Sequence, residues 1–255
     1  AAGIPVRVET TVLRLRVERR EAEVTSPRGV ETIEARAMLL ATGAREASRH
    51  QLLIPGDRPA GVFTSGSLFR FLHEQGRLPG KRFVVFHSED VSYSVVHAIR
   101  HAGGEVAAVV EPLAQTRSHP AVRWFYERVR GVAHCFGVED FAIHGRGRVA
   151  AVTIAGRQVE CDAVVFTGGF TPNTELGSTA INQCFETAAA GVFAAGNCLR
   201  GVVPADEAAW EGRKAGEAIA RKLAGVEPGS EEVAVVVKPP LKQVCPQRIT
   251  LGAPV

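Results

Sequence analysis

The sequence predicts an α/β fold with two Rossmann-like domains built on parallel sheets, and three observations lead to this prediction. Residues 38–44 (MLLATGA) recur as residues 164–170 (VVFTGGF), each time after an alternating strand pattern and a Glu-x-x-Ala lead-in. A strand, helix and strand pattern lies between the two copies, and a further apolar strand that ends in Gly196 precedes a long helix. Repetition of a whole unit indicates two related domains within one chain.

Each copy of the repeat has an alternating strand, a turn and a buried strand in the same order. In the first copy, residues 13–18 alternate, residues 27–29 form a turn, and the apolar run 37–41 predicts a strand buried on both faces. In the second copy, residues 149–154 alternate and residues 163–166 predict the buried strand. The Thr-Gly-Gly that follows lets the backbone pass close to a bulky group.

The segment between the copies has the pattern that opens a Rossmann unit. Residues 82–86 predict a buried strand, residues 91–102 a helix that ends at Gly103-Gly104, and residues 106–110 the next strand. Glu111 then stands where an acid would bind ribose hydroxyls, although a loop position is the plainer interpretation of a lone acid. Ser88 or Asp90 is the expected N-cap of the helix.

The glycine fingerprint Gly-x-Gly-x-x-Gly is absent from the sequence. In the connecting loop its three positions hold His87, Glu89 and Ser92. Side chains there block the approach of a pyrophosphate, and Glu89 and Asp90 put negative charge where a helix N-terminus would attract phosphate. The sequence therefore predicts that this domain does not bind NAD(P) in the usual way.

Composition and single residues limit the remaining function classes. The formal charge of +3 comes from dispersed arginines without interleaved aromatics, which predicts no nucleic-acid binding. The five cysteines contain no Cys-x-x-Cys, which argues against redox disulfides, zinc knuckles and iron–sulfur clusters. No apolar run is long enough for a membrane span, and residues 1–5 lack a signal-peptide pattern, so a cytoplasmic location is expected.

Three further features favour plain structural roles. His97 and His101 are one helical turn apart and are expected at a helix surface and not at a metal. Ser67 is expected to cap a helix over residues 68–75. No Gly-x-Ser-x-Gly motif is present, so hydrolase chemistry is not expected, and no side chain stands out as a catalytic acid or base.

Residues 191–197 (GVFAAGN) precede a predicted helix that starts with Asp206 as a plausible cap and runs to about Leu223. This helix either docks closely on a sheet, through its small residues, or offers its N-terminal N–H groups and positive dipole end to an electron-rich ring. The small residues are Gly212, Ala215, Gly216 and Ala220.

Three of these stretches together resemble the FAD-dependent pyridine nucleotide–disulfide oxidoreductase superfamily. They are residues 41–46 (ATGARE), 165–173 (VFTGGFTPN) and 191–197. The resemblance implies FAD/NAD(P)-binding domains with β-meander crossovers, in which an NAD-type domain interrupts an FAD domain. Residues 91–94 and 245–249 are similar to the flavoprotein subunits of bacterial opine and amino-acid dehydrogenases.

The same resemblance implies a division of the chain and two departures from the family. An FAD-type part covers residues 1–62 and 166–226, an NAD(P)-type domain covers residues 63–165, and residues 227–255 form a C-terminal extension. The first FAD-binding βαβ unit is missing, so the chain is interpreted as N-terminally truncated. The passage 176–191 is also shorter than in the family.

Carried over position by position, the resemblance implies which residues meet FAD. Ala41, Thr42 and Gly43 would lie on the adenosine side, and Gly196 and Asn197 near the ribityl chain and pyrophosphate. Asn197 replaces the common Asp, so a hydrogen bond survives but the charge does not.

Two further sets of residues complete this assignment. Asp206, Glu207 and Ala208 would begin the helix that faces the isoalloxazine ring. Thr167, Gly168 and Gly169 would form the crossover back into the FAD domain.

The function implied is electron or hydride transfer between a small organic substrate and FAD. Reoxidation would use a partner subunit, a quinone or oxygen, because the loop at His87 is altered. Without its first unit the isolated chain is expected to retain FAD weakly and to be inactive, and a partner subunit or a homo-oligomer is expected. The alternative is a scaffolding or partner-binding subunit whose degenerate dinucleotide-binding fold serves packing and contact.

Overall fold

The computed structural model describes residues 4–226, 229, 231–239, 241 and 244–252, so residues 1–3 and parts of the predicted 227–255 extension lie outside it. The first ten strands in chain order are β1 (Thr11–Arg16), β2 (Glu21–Ser26), β3 (Gly29–Glu34), β4 (Met38–Leu40), β5 (Ala44–Arg45), β6 (Val62–Thr64), β7 (Arg82–Phe86), β8 (Glu105–Glu111), β9 (His134–Phe136) and β10 (Ala142–His144). The remaining strands are β11 (Ala151–Ile154), β12 (Arg157–Glu160), β13 (Ala163–Phe166), β14 (Thr171–Pro172), β15 (Val192–Ala194), β16 (Glu232–Ala234) and β17 (Arg248–Thr250). The helices are α1 (Ser65–Gln75), α2 (Asp90–His101), α3 (Pro120–Trp124) and α4 (Ala205–Leu223), with a π-helical turn over Phe125–Val129 and a 3-10 turn over Gly196–Cys198.

The repeat in the sequence corresponds to a repeat in the structure. Strands β1, β2 and β3 form an antiparallel three-stranded sheet, and so do β10, β11 and β12. Each meander leads into a strand that pairs in parallel, β4 in the first copy and β13 in the second. The predicted α/β class with meander crossovers into parallel strands is therefore confirmed.

The chain divides into two units. Glu46–Phe170 form one, which we call the insert unit, and the described residues before and after it form the other, the outer unit. The sequence placed the domain boundary at residue 63. The insert unit begins earlier, because the loop that precedes β6 pairs with β10. The amide of Asp57 donates to the carbonyl of Ile143 at 2.8 Å, and a Cβ on Gly56 would lie 2.1 Å from that oxygen.

The insert unit is built on a five-stranded parallel sheet in the order β6-β13-β7-β8-β9. Strands β7 and β13 are central and their apolar side chains are buried, as continuous apolar runs predict for strands covered on both faces. Helix α2 packs its buried residues Val95, Val96 and Ile99 against Phe83 and Val85 of β7. The predicted strand, helix and strand of this segment are confirmed.

Strand β4 of the outer unit differs from its prediction. It pairs in parallel with β15 in a two-stranded sheet, and Leu40 is buried in a cluster with Val192 and Cys198. Leu39 points the other way and is 40% exposed. The prediction of a strand buried on both faces is wrong here, because alternate side chains of a strand face opposite sides and this core covers one side.

Two predicted helix starts are also wrong. Helix α1 begins at Ser65 with Thr64 as its N-cap, because Thr64 and Ser67 form a reciprocal capping box in which the amide of Thr64 donates to Oγ of Ser67 at 2.9 Å. Helix α4 begins after Pro204, and Asp206 lies within its first turn.

Helix α2 has a different N-cap from either of those predicted. Glu89 is the N-cap, not Ser88 or Asp90, and its amide donates to Oγ of Ser92 at 2.9 Å. Ser92 therefore closes the start of the helix from inside its first turn.

Candidate functional site

A cavity of about 280 Å³ lies in the outer unit, beside the carboxyl ends of β4 and β15. Ligands of open α/β sheets bind at this end of parallel strands. The cavity brings together five of the residues that the sequence assigned to FAD. They are Ala41, Gly43, Gly196, Asn197 and Ala208, joined in the lining by Leu39, Ala195 and Gly212.

The two strand-end glycines leave the cavity floor open. Gly43 and Gly196 have positive φ values of +68° and +80°, a conformation that is strained for a residue with a side chain. A Cβ built on either residue would meet no atom within 4 Å. The backbone at both strand ends is therefore accessible to a bulky group, as a dinucleotide requires.

Thr42 does not line this cavity but ties the end of β4 to the segment that follows β14. Its hydroxyl donates to the carbonyl of Asn173 at 2.8 Å, and the Asn173 side chain donates back to the carbonyl of Thr42 at 2.9 Å. The amide of Asn173 also donates to the carbonyl of Gly43 at 3.0 Å. Thr42 and Asn173 thus fix the conformation of Gly43.

Asn197 uses its side chain within the loop that leads to α4. Its Oδ1 accepts a hydrogen bond from the amide of Val203 at 3.2 Å, and its backbone carbonyl accepts one from the amide of Gly201 at 2.9 Å. An aspartate could accept the same bond from Val203, so the exchange of Asp for Asn preserves the shape of this loop.

Glu211 is a site residue that sequence reasoning missed. It is 97% buried in the middle of α4, with 3% exposed, and its Oε2 accepts a hydrogen bond from the amide of Gly196 at 2.8 Å. Its Oε1 lies 2.5 Å from Nη2 of Arg200. The local pattern carries no signal for this, because Gly196 and Glu211 meet only through the fold.

The predicted helix-start residues have separate positions. Ala208 lines the cavity, whereas Asp206 and Glu207 stand in the first turn of α4 beside it. Glu207 is ion-paired with Arg200. Carboxylates in a first helical turn stabilise the helix through its dipole, and this explains both acids without a ligand.

Gly168 is not part of the cavity. It lies in the insert unit, where a Cβ on it would fall 2.4 Å from Nδ1 of His87 and 3.0 Å from Oε1 of Glu89. His87 is buried and has a positive φ of 83°. The ring therefore occupies the space beside the Gly168 backbone, at the point where the fingerprint would have a glycine.

Burial keeps the His87 ring neutral. Desolvation, reinforced by the charge of Arg117, lowers the pKa of His87 to about 4. Its Nδ1 is buried without a hydrogen-bond partner among the described residues.

Glu111 is fully buried and its carboxylate is taken up by the loop. Oε2 accepts hydrogen bonds from the amide and the hydroxyl of Ser88 at 3.0 and 2.9 Å, and Oε1 accepts one from the amide of Leu113 at 3.1 Å. Arg117, a second residue that the sequence did not reveal, lies 3.5 Å from Glu111 and 3.1 Å from Glu89. This carboxylate closes the loop instead of facing an open crevice.

Ser92, at the third glycine position, joins α2 to β13. Its Oγ lies 2.6 Å from Oγ1 of Thr167, which donates to the carbonyl of Phe86 at 3.0 Å. Of the three residues at the fingerprint positions, His87 packs against Gly168, Glu89 is paired with Arg117, and Ser92 is bonded to Thr167.

The histidine pair on α2 is placed as the sequence suggested. His97 and His101 are exposed, with ring centroids 6.1 Å apart. Within the described ranges, no group of three or more His, Cys, Asp or Glu side chains could hold a metal ion. No helix in those same ranges is long and apolar enough to cross a membrane.

Sequence comparison matches most of the chain to one family. Residues 1–212 match the family model described as pyridine nucleotide-disulphide oxidoreductase. Sarcosine oxidase subunit alpha of Rhizobium meliloti (strain 1021) is 28% identical over 203 residues, which are 75% of this chain and 20% of that protein. The chain therefore spans about a fifth of the length of this curated relative.

Structural comparison finds the same fold in solved proteins, among them the following two. An FAD-dependent pyridine nucleotide-disulphide oxidoreductase from Desulfovibrio vulgaris aligns with a TM-score of 0.67 and 19% identity, over 85% of this chain and 61% of that chain. The thioredoxin reductase of T. acidophilum aligns with a TM-score of 0.68 and 16% identity, over 84% of this chain and 74% of that chain.

Proposed function

Because the chain belongs to the pyridine nucleotide-disulphide oxidoreductase family, we propose that it is part of an FAD-dependent enzyme that moves electrons or hydride between a small organic substrate and the flavin. The family binds FAD, and many members also bind NAD(P). The supporting observation in this chain is the cavity at the carboxyl ends of β4 and β15, with open glycine backbone in the segments that follow both strands.

The residues of this cavity fit the diphosphate and sugar parts of a dinucleotide. Ala41 and Gly43 would hold the adenosine side, with Thr42 acting from behind through Asn173. Gly196 and Asn197 would lie along the ribityl chain and pyrophosphate, since the open face of Gly196 admits a bulky group. When bound, FAD supplies the redox chemistry itself.

The remaining residues orient the site. Glu211 holds the amide of Gly196 and so fixes the turn after β15. The first turn of α4, with Asp206, Glu207 and Ala208, would face the isoalloxazine ring, and the positive dipole end of a helix stabilises negative charge on a reduced ring.

We further propose that NAD(P)H is not the electron partner. The carboxylate of Glu111 accepts hydrogen bonds from Ser88, and the His87 ring fills the space against Gly168. Electrons would instead leave through a partner subunit, a quinone or oxygen. The relative from Rhizobium meliloti is named as a subunit, which supports an assembly with other chains. We expect the isolated chain to retain FAD weakly and to be inactive.

The experiment is a fluorescence titration of FAD into the purified protein and into the Gly196→Val variant. We expect weak, saturable quenching of the fluorescence by the purified protein. The Gly196→Val variant should bind FAD at least about tenfold more weakly, because the new side chain enters the cavity. Gly131→Val is the matched control, since Gly131 also has a positive φ of +63° with nothing within 4 Å but lies in the insert unit.

A scaffolding role is the competing function, favoured by the engaged loop residues of the insert unit. The scaffolding role predicts that neither this chain nor a longer protein that contains it binds flavin or shows a flavin absorption spectrum. That result would contradict our proposal.

A further inference from the structure

We propose that the insert unit carries a second small-molecule site, which binds an organic carboxylate with an apolar body. The site is a cavity of about 400 Å³, within the size range of ligand pockets. It lies at the carboxyl ends of β6 and β13, where Thr64 and Phe166 are paired. Neither the cavity beside β4 and β15 nor the loop at His87 contributes to this site.

Arg49 supplies a fixed positive charge in the wall of this cavity. It is only 6% exposed, and its guanidinium donates to three backbone carbonyls: Nε to Ile54 at 3.1 Å, Nη2 to Pro55 at 2.5 Å, and Nη1 to Asp57. A guanidinium has five N–H donors, so these bonds hold it in place and leave donors for a ligand.

Arg49 and Arg58 bring two positive charges to the wall of this cavity. Neither Arg49 nor Arg58 is ion-paired with a carboxylate in the part of the chain that the structure describes. The carboxylate of Asp57 accepts from the amide of Gly145 at 2.9 Å instead. Burial and the charge of Arg58 lower the pKa of Arg49, and the negative charge of Asp57 opposes this in part. An anion between the two guanidiniums would relieve this repulsion, since a buried charge is stable only with a partner.

The other walls of the cavity determine the class of anion. Val62, Phe63 and Phe166 supply apolar lining, whereas Arg49 and Arg58 supply the cationic groups. A bare inorganic anion would make no contact with the apolar lining. A carboxylate attached to an aromatic or aliphatic body matches both the cationic groups and the apolar lining. Arginine also pairs with carboxylates through two parallel hydrogen bonds.

The neighbouring helix end does not compete for the anion. The carboxylate of Glu46 accepts a hydrogen bond from the amide of Gly66 at 2.8 Å and another from the hydroxyl of Ser65. The N-terminus of α1 is thus already occupied by a carboxylate of the chain. The guanidiniums therefore carry the recognition.

The test is titration calorimetry of the purified protein with benzoate. We expect saturable binding that Arg58→Gln weakens about tenfold, as loss of one charge-assisted hydrogen bond predicts. Arg58 is exposed, so this variant should fold. Arg70→Gln is the matched control, because Arg70 is an exposed arginine on α1 outside the cavity, and we expect unchanged benzoate affinity.

Several outcomes would overturn the proposal. They are absence of saturable benzoate binding, equal affinity in Arg58→Gln, equal affinity for the neutral benzyl alcohol, and inorganic phosphate binding as tightly as benzoate. The last two would show that charge or the apolar walls, respectively, play no part. Flavin is not needed for the measurement, so its result is independent of the FAD titration.

Discussion

The imidazole of His87 occupies the space that a side chain on Gly168 would need, because a Cβ on Gly168 would fall 2.4 Å from Nδ1 of His87. His87 comes directly after β7 and Gly168 two positions after β13, and these strands are neighbours in the sheet. The two residues form one packed unit at the strand ends. A histidine in the first position of the fingerprint thus depends on a glycine far along the chain.

Gly168→Ala should lower the free energy of unfolding by about 1–3 kcal/mol, because the new methyl group overlaps the buried ring. Urea unfolding followed by circular dichroism measures this. Gly216→Ala is the control. Gly216 is helical and a Cβ on it would meet no atom within 4 Å, so this substitution should stabilise the protein slightly. If His87→Ala does not reduce the loss caused by Gly168→Ala, the clash with His87 is not its cause.

Replacement of His87, Glu89 and Ser92 together by glycine should increase the affinity for NADH. The change removes the ring, the carboxylate paired with Arg117, and the hydroxyl bonded to Thr167. Titration calorimetry measures the affinity, with Ser94→Gly as a control at an exposed position of the same helix. Unchanged affinity in the triple variant would refute closure by these side chains.

Stability should fall as the pH is lowered from about 6.5 to about 4, partly because of His87. The folded protein holds His87 neutral down to the lower pH, whereas the unfolded chain is protonated at the ordinary pKa, so acid favours unfolding. Below both pKa values the full effect is about 3 kcal/mol at most.

The variant His87→Asn tests this pH dependence, because asparagine does not titrate and tolerates positive φ. Urea unfolding at pH 7 and pH 4.5 should show a smaller loss in His87→Asn than in the parent protein. His101→Asn, at an exposed position, should keep the parent's loss. Equal losses in all three proteins would remove His87 as a source of the pH dependence.

Glu211→Gln should lower the free energy of unfolding by about 1–3 kcal/mol, because it weakens the charged hydrogen bond to Gly196 and the pair with Arg200. FAD affinity should fall as well. Glu217→Gln is matched on the same helix, where Glu217 pairs with Lys214 at the surface, and should change stability by about 0.5 kcal/mol or less. Chemical denaturation that shows similar small losses for both would contradict the role of Glu211.

The elements that sequence patterns predicted correctly are those whose signal is local. Strand β13 is a continuous apolar run and is an interior strand of its sheet, and α2 has helical spacing that ends at glycine. The family resemblance placed Gly43 on the adenosine side of FAD and Gly196 near its ribityl chain and pyrophosphate; both line one cavity, and their contact with FAD stays a prediction. Burial periodicity and turn chemistry are properties of neighbouring residues, so a sequence reveals them.

Other features could not be predicted from local patterns. Thr64 and Glu89 became N-caps where other residues were expected, since a cap depends on loop geometry as well as residue type. Glu211 reaches Gly196, and Arg117 reaches Glu89, through contacts distant in sequence. No periodicity encodes such pairs.

The amino-acid sequence by itself determined the α/β class, the repeated unit, the family, and the replacement of glycine at the fingerprint positions after β7, because each of these follows from residue type at short spacing. Tertiary structure alone decided that Leu39 is exposed, that Glu111 turns onto Ser88, and that Arg49 is buried in a cavity wall. The physical reason is that burial and charge balance depend on which distant side chains the fold brings together.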